Sequence, residues 1–222
     1  MGFTIGPGWA ITGAWAIGDT GGGGPPASYP TWNPASVTST FGTFSNGNRT
    51  YIDTTTGGSY KYAYSTKYSS TGKFYFECTV VAVVGPNYAS AGVSNPPPSS
   101  DFYLEQTASG YQGYGYTITG VKATNDTYTT IGSDLSNDGQ SHIISVAIDI
   151  DAGKVWFGVD GVWQGSGNPA TGANPAFNIV TGRSYGFSAG NGASVYSSSM
   201  TGNWGQNAFA YTPPSGFIAQ TA

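Results

Sequence analysis

The 222-residue sequence predicts an all-β chain: a two-sheet antiparallel β-sandwich preceded by a short extended N-terminal anchor. Three observations predict it. From Tyr29 onward no stretch shows helical periodicity; short runs of β-branched and aromatic residues alternate with clusters of Gly, Asn, Ser and Pro. Residues 142–150 and 154–159 alternate with a period of two, placing Ile144, Val146 and Ile148 on one face of a strand and Val155, Phe157 and Val159 on one face of the next. Asp160-Gly161 then supplies the residue pair that a two-residue hairpin turn favours, because both central positions need positive φ. So many short strands imply two packed antiparallel sheets, and the length suits one such domain with an appendage.

The elements follow in order. Residues 1–18 hold three hexads, GFTIGP, GWAITG and AWAIGD, with Phe3, Trp9 and Trp15 in register and Ile5, Ile11 and Ile17 two positions further on. A strand would place each aromatic and its Ile on one face, and three such units cannot bury that face alone. Residues 1–20 therefore read as an anchor that completes its core against a partner or a second copy. A tail packed on its own domain is the plainer reading. Gly21–Gly24 and Pro25-Pro26 make residues 21–30 a linker, flexible and then stiff. Residues 31–222 form the sandwich, with strands expected at 36–44, 49–55, 60–66, 73–84, 88–94, 112–119, 126–131, 142–150, 154–159, 184–190, 194–199 and 208–212. Within them Tyr75 and Trp156 point away from the apolar faces, either to solvent or beneath another sheet.

Composition excludes several function classes. Charged residues make up 8% of the chain and the net charge is −4, so the sequence carries no basic footprint for phosphate and no nucleic-acid partner is expected. Aromatics reach 15%, with sixteen Tyr; that suits a recognition surface, and equally a strand-rich core. Cys78 is the single cysteine, in an apolar alternating run, and reads as a buried small hydrophobe rather than a reactive thiol. No signal peptide, myristoylation pattern or membrane-length apolar run is present, so a soluble protein without a membrane partner is expected.

Candidates for chemistry are few. His142 is the single histidine, and no G-x-S-x-G elbow points to a serine for it to activate. Zinc would need further His or Cys ligands. Asp149 and Asp151 share a spacing that could face one ion, yet Gly153 stands where a calcium loop needs an oxygen and no late Glu follows. Turn formation explains them better, since Asp accepts hydrogen bonds from backbone two residues on. No phosphate loop, dinucleotide fingerprint or paired-carboxylate constellation appears. No cofactor or metal is expected.

Several motifs in one order resemble the SPRY family: TWNPASVTSTFGTFSNGNRTYI (31–52), STGKFYFECTVV (70–81), SAGVSN (90–95), GYGYT (113–117), HIISVAIDIDAGKVWFGVDG (142–161) and NWGQNAFAYTPPSGF (203–217). The resemblance covers most of residues 31–218, with Asp160 where the family usually has Asn. It implies a concanavalin-like two-sheet sandwich that docks through loops at one edge and does not catalyse. WFGVDGVW followed by SGNPATGANPAF (166–177) resembles, more narrowly, SPRY proteins encoded by bacterial viruses and prophages.

The resulting expectation is a non-enzymatic virion protein, a decoration or tail component made in the host cytoplasm. Phe3, Ile5, Trp9, Ile11, Trp15 and Ile17 would dock it to other virion proteins or into a homo-oligomer. Tyr88, Asp101, Phe102, Tyr103, Tyr111 and Trp163 would contact a host-surface protein or glycan, exposed aromatics being common interface anchors. The alternatives are a carbohydrate-binding module, a cellular SPRY interaction domain, or a polysaccharide hydrolase, the last lacking an evident carboxylate pair.

Overall fold

The computed structural model describes residues 28–38, 41–53, 61–81, 88–99, 104–106, 108–191 and 198–221. The hexads, with Phe3, Ile5, Trp9, Ile11, Trp15 and Ile17, and all but the last three linker residues lie outside the described residues.

Two sheets carry the chain. In spatial order the first holds β1 (Gly42–Ser45), β2 (Thr50–Asp53), β14 (Ser198–Asn203), β4 (Lys73–Val81), β9 (His142–Asp149), β10 (Lys154–Val159) and β11 (Val162–Trp163). Two short strands join it, β12 (Phe177–Asn178) on β10 and β15 (Ile218–Ala219) on β4. The second sheet runs β3 (Lys61–Tyr64), β13 (Gly186–Asn191), β5 (Ala89–Ser94), β6 (Gly113–Thr117), β7 (Val121–Thr124) and β8 (Thr127–Thr130). Every pairing is antiparallel except β15 with β4. The expected two-sheet antiparallel sandwich is the observed architecture.

The main core lies between the sheets. Phe76, Cys78, Ile144, Val146, Ile148, Val155 and Phe157 come from the first sheet; Ala91, Val93, Tyr114, Tyr116, Phe187 and Ala189 come from the second. The register puts Phe76 opposite Val146 and Val146 opposite Phe157, so the alternation read in sequence becomes one apolar row across three strands. Phe76 stacks on Phe187 with centroids 4.6 Å apart. Trp32 meets Trp204 edge-on at 4.6 Å. Cys78 is fully buried here, and burial pushes its thiol pKa well up, away from reactivity.

A second, smaller core covers the other face of the first sheet. Tyr75, Ala147 and Trp156 pair in register there, and the C-terminal segment lays Phe209 and Phe217 over them. Phe209 meets Tyr75 edge-on at 4.9 Å and Phe217 meets Trp156 at 6.1 Å. Tyr75 and Trp156 are thus neither exposed nor under another sheet; the tail buries them.

Two strand expectations are corrected. Residues 36–44 were expected as one strand, but Asn33 caps a short 3-10 turn over Pro34–Ser36 through Ala35 N–H (3.0 Å), and among the described residues of that segment the strand is Gly42–Ser45. The strand expected at 126–131 forms as β8, entered through a hairpin turn in which Asn125 and Asp126 both take positive φ. Residues 208–212 form no strand, since the N–H groups of Ala210 and Tyr211 donate to a side chain, Glu77, instead of a ladder. The expected strand at 194–199 lies partly outside the described residues, and β14 runs on to Asn203. Asp160-Gly161 does form its turn, with φ of 48° and 82°.

Candidate recognition site

The sequence-derived contact residues are not brought together. Tyr88 is 45% exposed and leads into β5 of the second sheet, whereas Trp163 lies half-buried at the edge of the first. Asp101, Phe102 and Tyr103 fall outside the described residues. Tyr111 is a correction: it is 1% exposed, its hydroxyl donates to Leu104 O at 3.1 Å, and it lies 3.2 Å from the Tyr64 hydroxyl. Its ring packs the interior rather than facing a partner.

Tyr111 belongs to a strap that crosses the outer face of the second sheet. Leu104 and Glu105 lie so close to β5 and β6 that only glycines fit beneath them: a Cβ on Gly113 would stand 1.6 Å from Leu104 O, and one on Gly115 2.4 Å from Glu105 Oε1. Asn95 ties the far end of the strap by accepting from Gln112 N–H (2.6 Å) and donating to Gly110 O (2.9 Å). Glu105 is buried with the Tyr62 hydroxyl 3.3 Å away, and burial pushes its carboxyl pKa up to about 7. Gly113→Ala is accordingly expected to lift the strap and cost about 1–3 kcal/mol, the range for overpacking. Urea unfolding, with hydrogen exchange at residues 104–112, measures both effects.

An aromatic-walled cleft lies on the outer face of the first sheet, away from the strap. Glu77 of β4, Ser145 of β9, Gly158 of β10 and Trp163 of β11 are successive register partners, a row across four strands on the outer face of the first sheet. The small residues Ser145 and Gly158 leave a hollow between larger neighbours. Trp163 walls one side, and Tyr211 of the C-terminal segment walls the other, packed so flat on Gly161 that a Cβ there would sit 2.6 Å from its ring. The cavity is ≈ 30 Å³, lined by Tyr75, Ser145, Gly158, Gly161, Trp163 and Tyr211, with Thr212 at its edge.

A hydrogen-bonded chain runs under it. Glu77 is 3% exposed; its carboxylate accepts from Ala210 N–H (2.8 Å), Tyr211 N–H (2.9 Å) and the Tyr75 hydroxyl (2.9 Å). Tyr75 in turn lies 2.9 Å from Ser145 Oγ. Glu77 thus fastens the tail that forms one wall. The phenol of Tyr211 titrates above its ordinary value because of partial desolvation and the nearby Asp160 and Glu77 carboxylates.

His142 stands beside the cleft. Its Nδ1 lies 2.6 Å from Asp160 Oδ2 and its Nε2 2.9 Å from Asp138 Oδ2. Burial alone would lower its pKa; the two carboxylates outweigh that and raise it. Because they engage opposite ring nitrogens, the three groups cannot converge on one metal ion, and no group of three metal-ligating residues occurs among the described residues. Asp149 accepts from Ala152 N–H (2.8 Å) and pairs with Lys73 (2.8 Å), which makes it a turn-former, while Asp151 accepts from Gly72 N–H (3.1 Å) and ties its turn to the start of β4.

Of the cleft residues, the sequence marked only Trp163 as a contact. The available signal for Glu77 was an acid inside an apolar alternating strand. Nothing local linked it to Ser145 or Tyr211.

Sandwich, register and tail together define an SPRY-like β-sandwich. Similar solved structures include the SPRY domain of human HERC1, 18% identical with a TM-score of 0.58 over 80% of this chain and 99% of that one. The PSpry domain of TRIM65 is 13% identical with a TM-score of 0.52, over 78% of this chain and 89% of that one. The stonustoxin structure is 16% identical with a TM-score of 0.54 over 79% of this chain, which spans only 27% of the stonustoxin chain. At these identities the likeness is one of fold. No protein-family model and no curated protein sequence matches the chain.

Proposed function

We propose that this chain is a non-enzymatic, virion-associated recognition protein of a bacterial virus, docked through residues 1–20 and displaying its SPRY-like sandwich to a protein or host-surface partner. The observation that carries the recognition part is the half-open, aromatic-walled cleft between Trp163 and Tyr211 on the outer face of the first sheet. Such a fold suggests an interaction domain. The viral part rests on the resemblance of residues 156–177 and on the hexads, whose apolar faces need a partner to cover them. A non-enzymatic role agrees with how the polar groups are spent: His142 between two carboxylates, Glu77 on backbone N–H groups, Asp149 on a turn and a lysine.

Deleting residues 1–20 is expected to abolish incorporation into particles and to lower the oligomeric mass measured by light scattering. The isolated sandwich should still unfold cooperatively. Unchanged incorporation and mass would refute the docking role.

A further inference from the structure

We propose that the cleft between Trp163 and Tyr211 is a binding site for the tip of a basic side chain, lysine or arginine, presented by a partner protein. The inference deepens the reading of the sandwich as a recognition module and rests on it.

The direction of the buried hydrogen bonds carries the argument. The Tyr75 hydroxyl donates to the Glu77 carboxylate, which also takes the two backbone N–H groups. Tyr75 has then used its single proton, and its oxygen accepts from Ser145 across 2.9 Å. Ser145 has likewise used its proton, and its oxygen meets the cleft with lone pairs only. The floor therefore offers an incoming donor the free lone pairs of a hydroxyl whose proton is already committed, with Ser145 2% exposed. Hydroxyls, amides, ammonium and guanidinium groups can all donate.

Charge and shape select among them. Glu77 stands beside Ser145, one strand over in the same row, and Asp160 directly precedes the lining residue Gly161; no Lys or Arg lines the cavity. His142 is held by Asp160 and Asp138, and so offsets part of the rim charge, but the Glu77 carboxylate meets only neutral donors. The remaining cations described nearby in the sheet are spent elsewhere, Lys73 on Asp149 and Lys154 on Gly172 O. The walls are two aromatic rings, whose faces attract a cation, most strongly that of tryptophan. A cavity of ≈ 30 Å³ exceeds the roughly 10–15 Å³ that one water needs. It suits a single donor group whose apolar stem leaves between the rings, as lysine and arginine stems do.

The test titrates the isotopically labelled full chain with a short Gly/Ser peptide bearing one central arginine or lysine, and with matched peptides bearing citrulline or norleucine. The arginine and lysine peptides should shift the Trp163 indole N–H and the Gly158 amide, with affinity falling as salt rises. The neutral peptides should bind roughly tenfold more weakly or worse, the scale of a lost charge-assisted contact. Ser145→Ala and, independently, Trp163→Leu should each weaken the arginine peptide by a similar factor. Trp163 sits on a two-residue edge strand, so its substitution keeps the test valid if Ser145→Ala loosens the sheet. Equal binding of the neutral peptides, a response to neutral oligosaccharide instead, or a cleft that holds only water overturns the proposal. If Ser145→Ala leaves binding to host cells or particles intact, the cleft assignment fails while the recognition reading stands; if the whole sandwich shows no such binding, the broader reading fails with it.

Discussion

Between pH 4.5 and 7 the sandwich is expected to lose roughly 3 kcal/mol of stability, because Glu105 holds its proton in the native state up to about 7 while the unfolded chain releases it near 4.5. The cause is chiefly burial: the carboxyl lies under the strap, where the charged form is poorly solvated. The native state thus binds more protons than the unfolded state across this window, and stability falls with rising pH. Its contribution is complete below 4.5 and gone above about 7. His142 acts with the same sign one step higher, since its native pKa is raised above 6.5 by Asp160 and Asp138 against the opposing effect of burial. Asp138 acts oppositely at lower pH: the Gln140 N–H and then His142 hold its pKa below 3.8, so its contribution is lost as acid is added. The Glu105 and His142 windows overlap only between 6.5 and about 7. Urea midpoints measured from pH 4 to 8 should fall steeply in the native protein. Glu105→Gln, which has no proton to lose, should flatten the segment below 6.5 and leave only the decline due to His142. An equally steep profile in that variant would sink the assignment.

Trp204→Ala is expected to cost about 3–5 kcal/mol, the range for removing a fully buried aromatic side chain. Against a total of roughly 5–15 kcal/mol for a domain, that is much of the stability. Trp204 is wholly buried, edge-on to Trp32 at 4.6 Å and 5.0 Å from Phe76. The backbone has been shaped around it: a Cβ at Gly202 would stand 2.6 Å from its ring. Its indole nitrogen has no hydrogen-bond partner among the described residues, so the loss is one of packing and cavity formation. Trp204→Phe should recover much of it. A loss under about 1 kcal/mol would contradict the packing described, and urea unfolding at neutral pH reads it directly.

The legible parts of the fold were the local ones. Alternation in 142–150 and 154–159 assigned Ile144, Val146, Val155 and Phe157 to one core, and the two sheets then buried them together. Asp160-Gly161 formed its turn because the φ requirement is satisfied within two residues. Failures occurred where a side chain competed with the ladder: Asn33 turned the chain at Pro34, and Glu77 took the N–H groups expected to pair in 208–212. Tyr88 and Tyr111 show the same limit at single residues. Both are tyrosines flanking strands, yet one is exposed and the other locked against Leu104 and Tyr64.

By itself the sequence determined the all-β class, the two-faced strands and the hairpin at Asp160-Gly161, because periodicity and turn chemistry act over a few residues. Only the tertiary structure decided what covers the outer face of the first sheet and where the cleft opens. Glu77 reaches Ala210 across 133 positions and aligns with Ser145, Gly158 and Trp163 through the register of four strands. Alternation says that a strand has two faces; the contacts that bury one and hollow the other are set by chain segments far apart in sequence, brought together only when the sheet assembles and the tail closes over it.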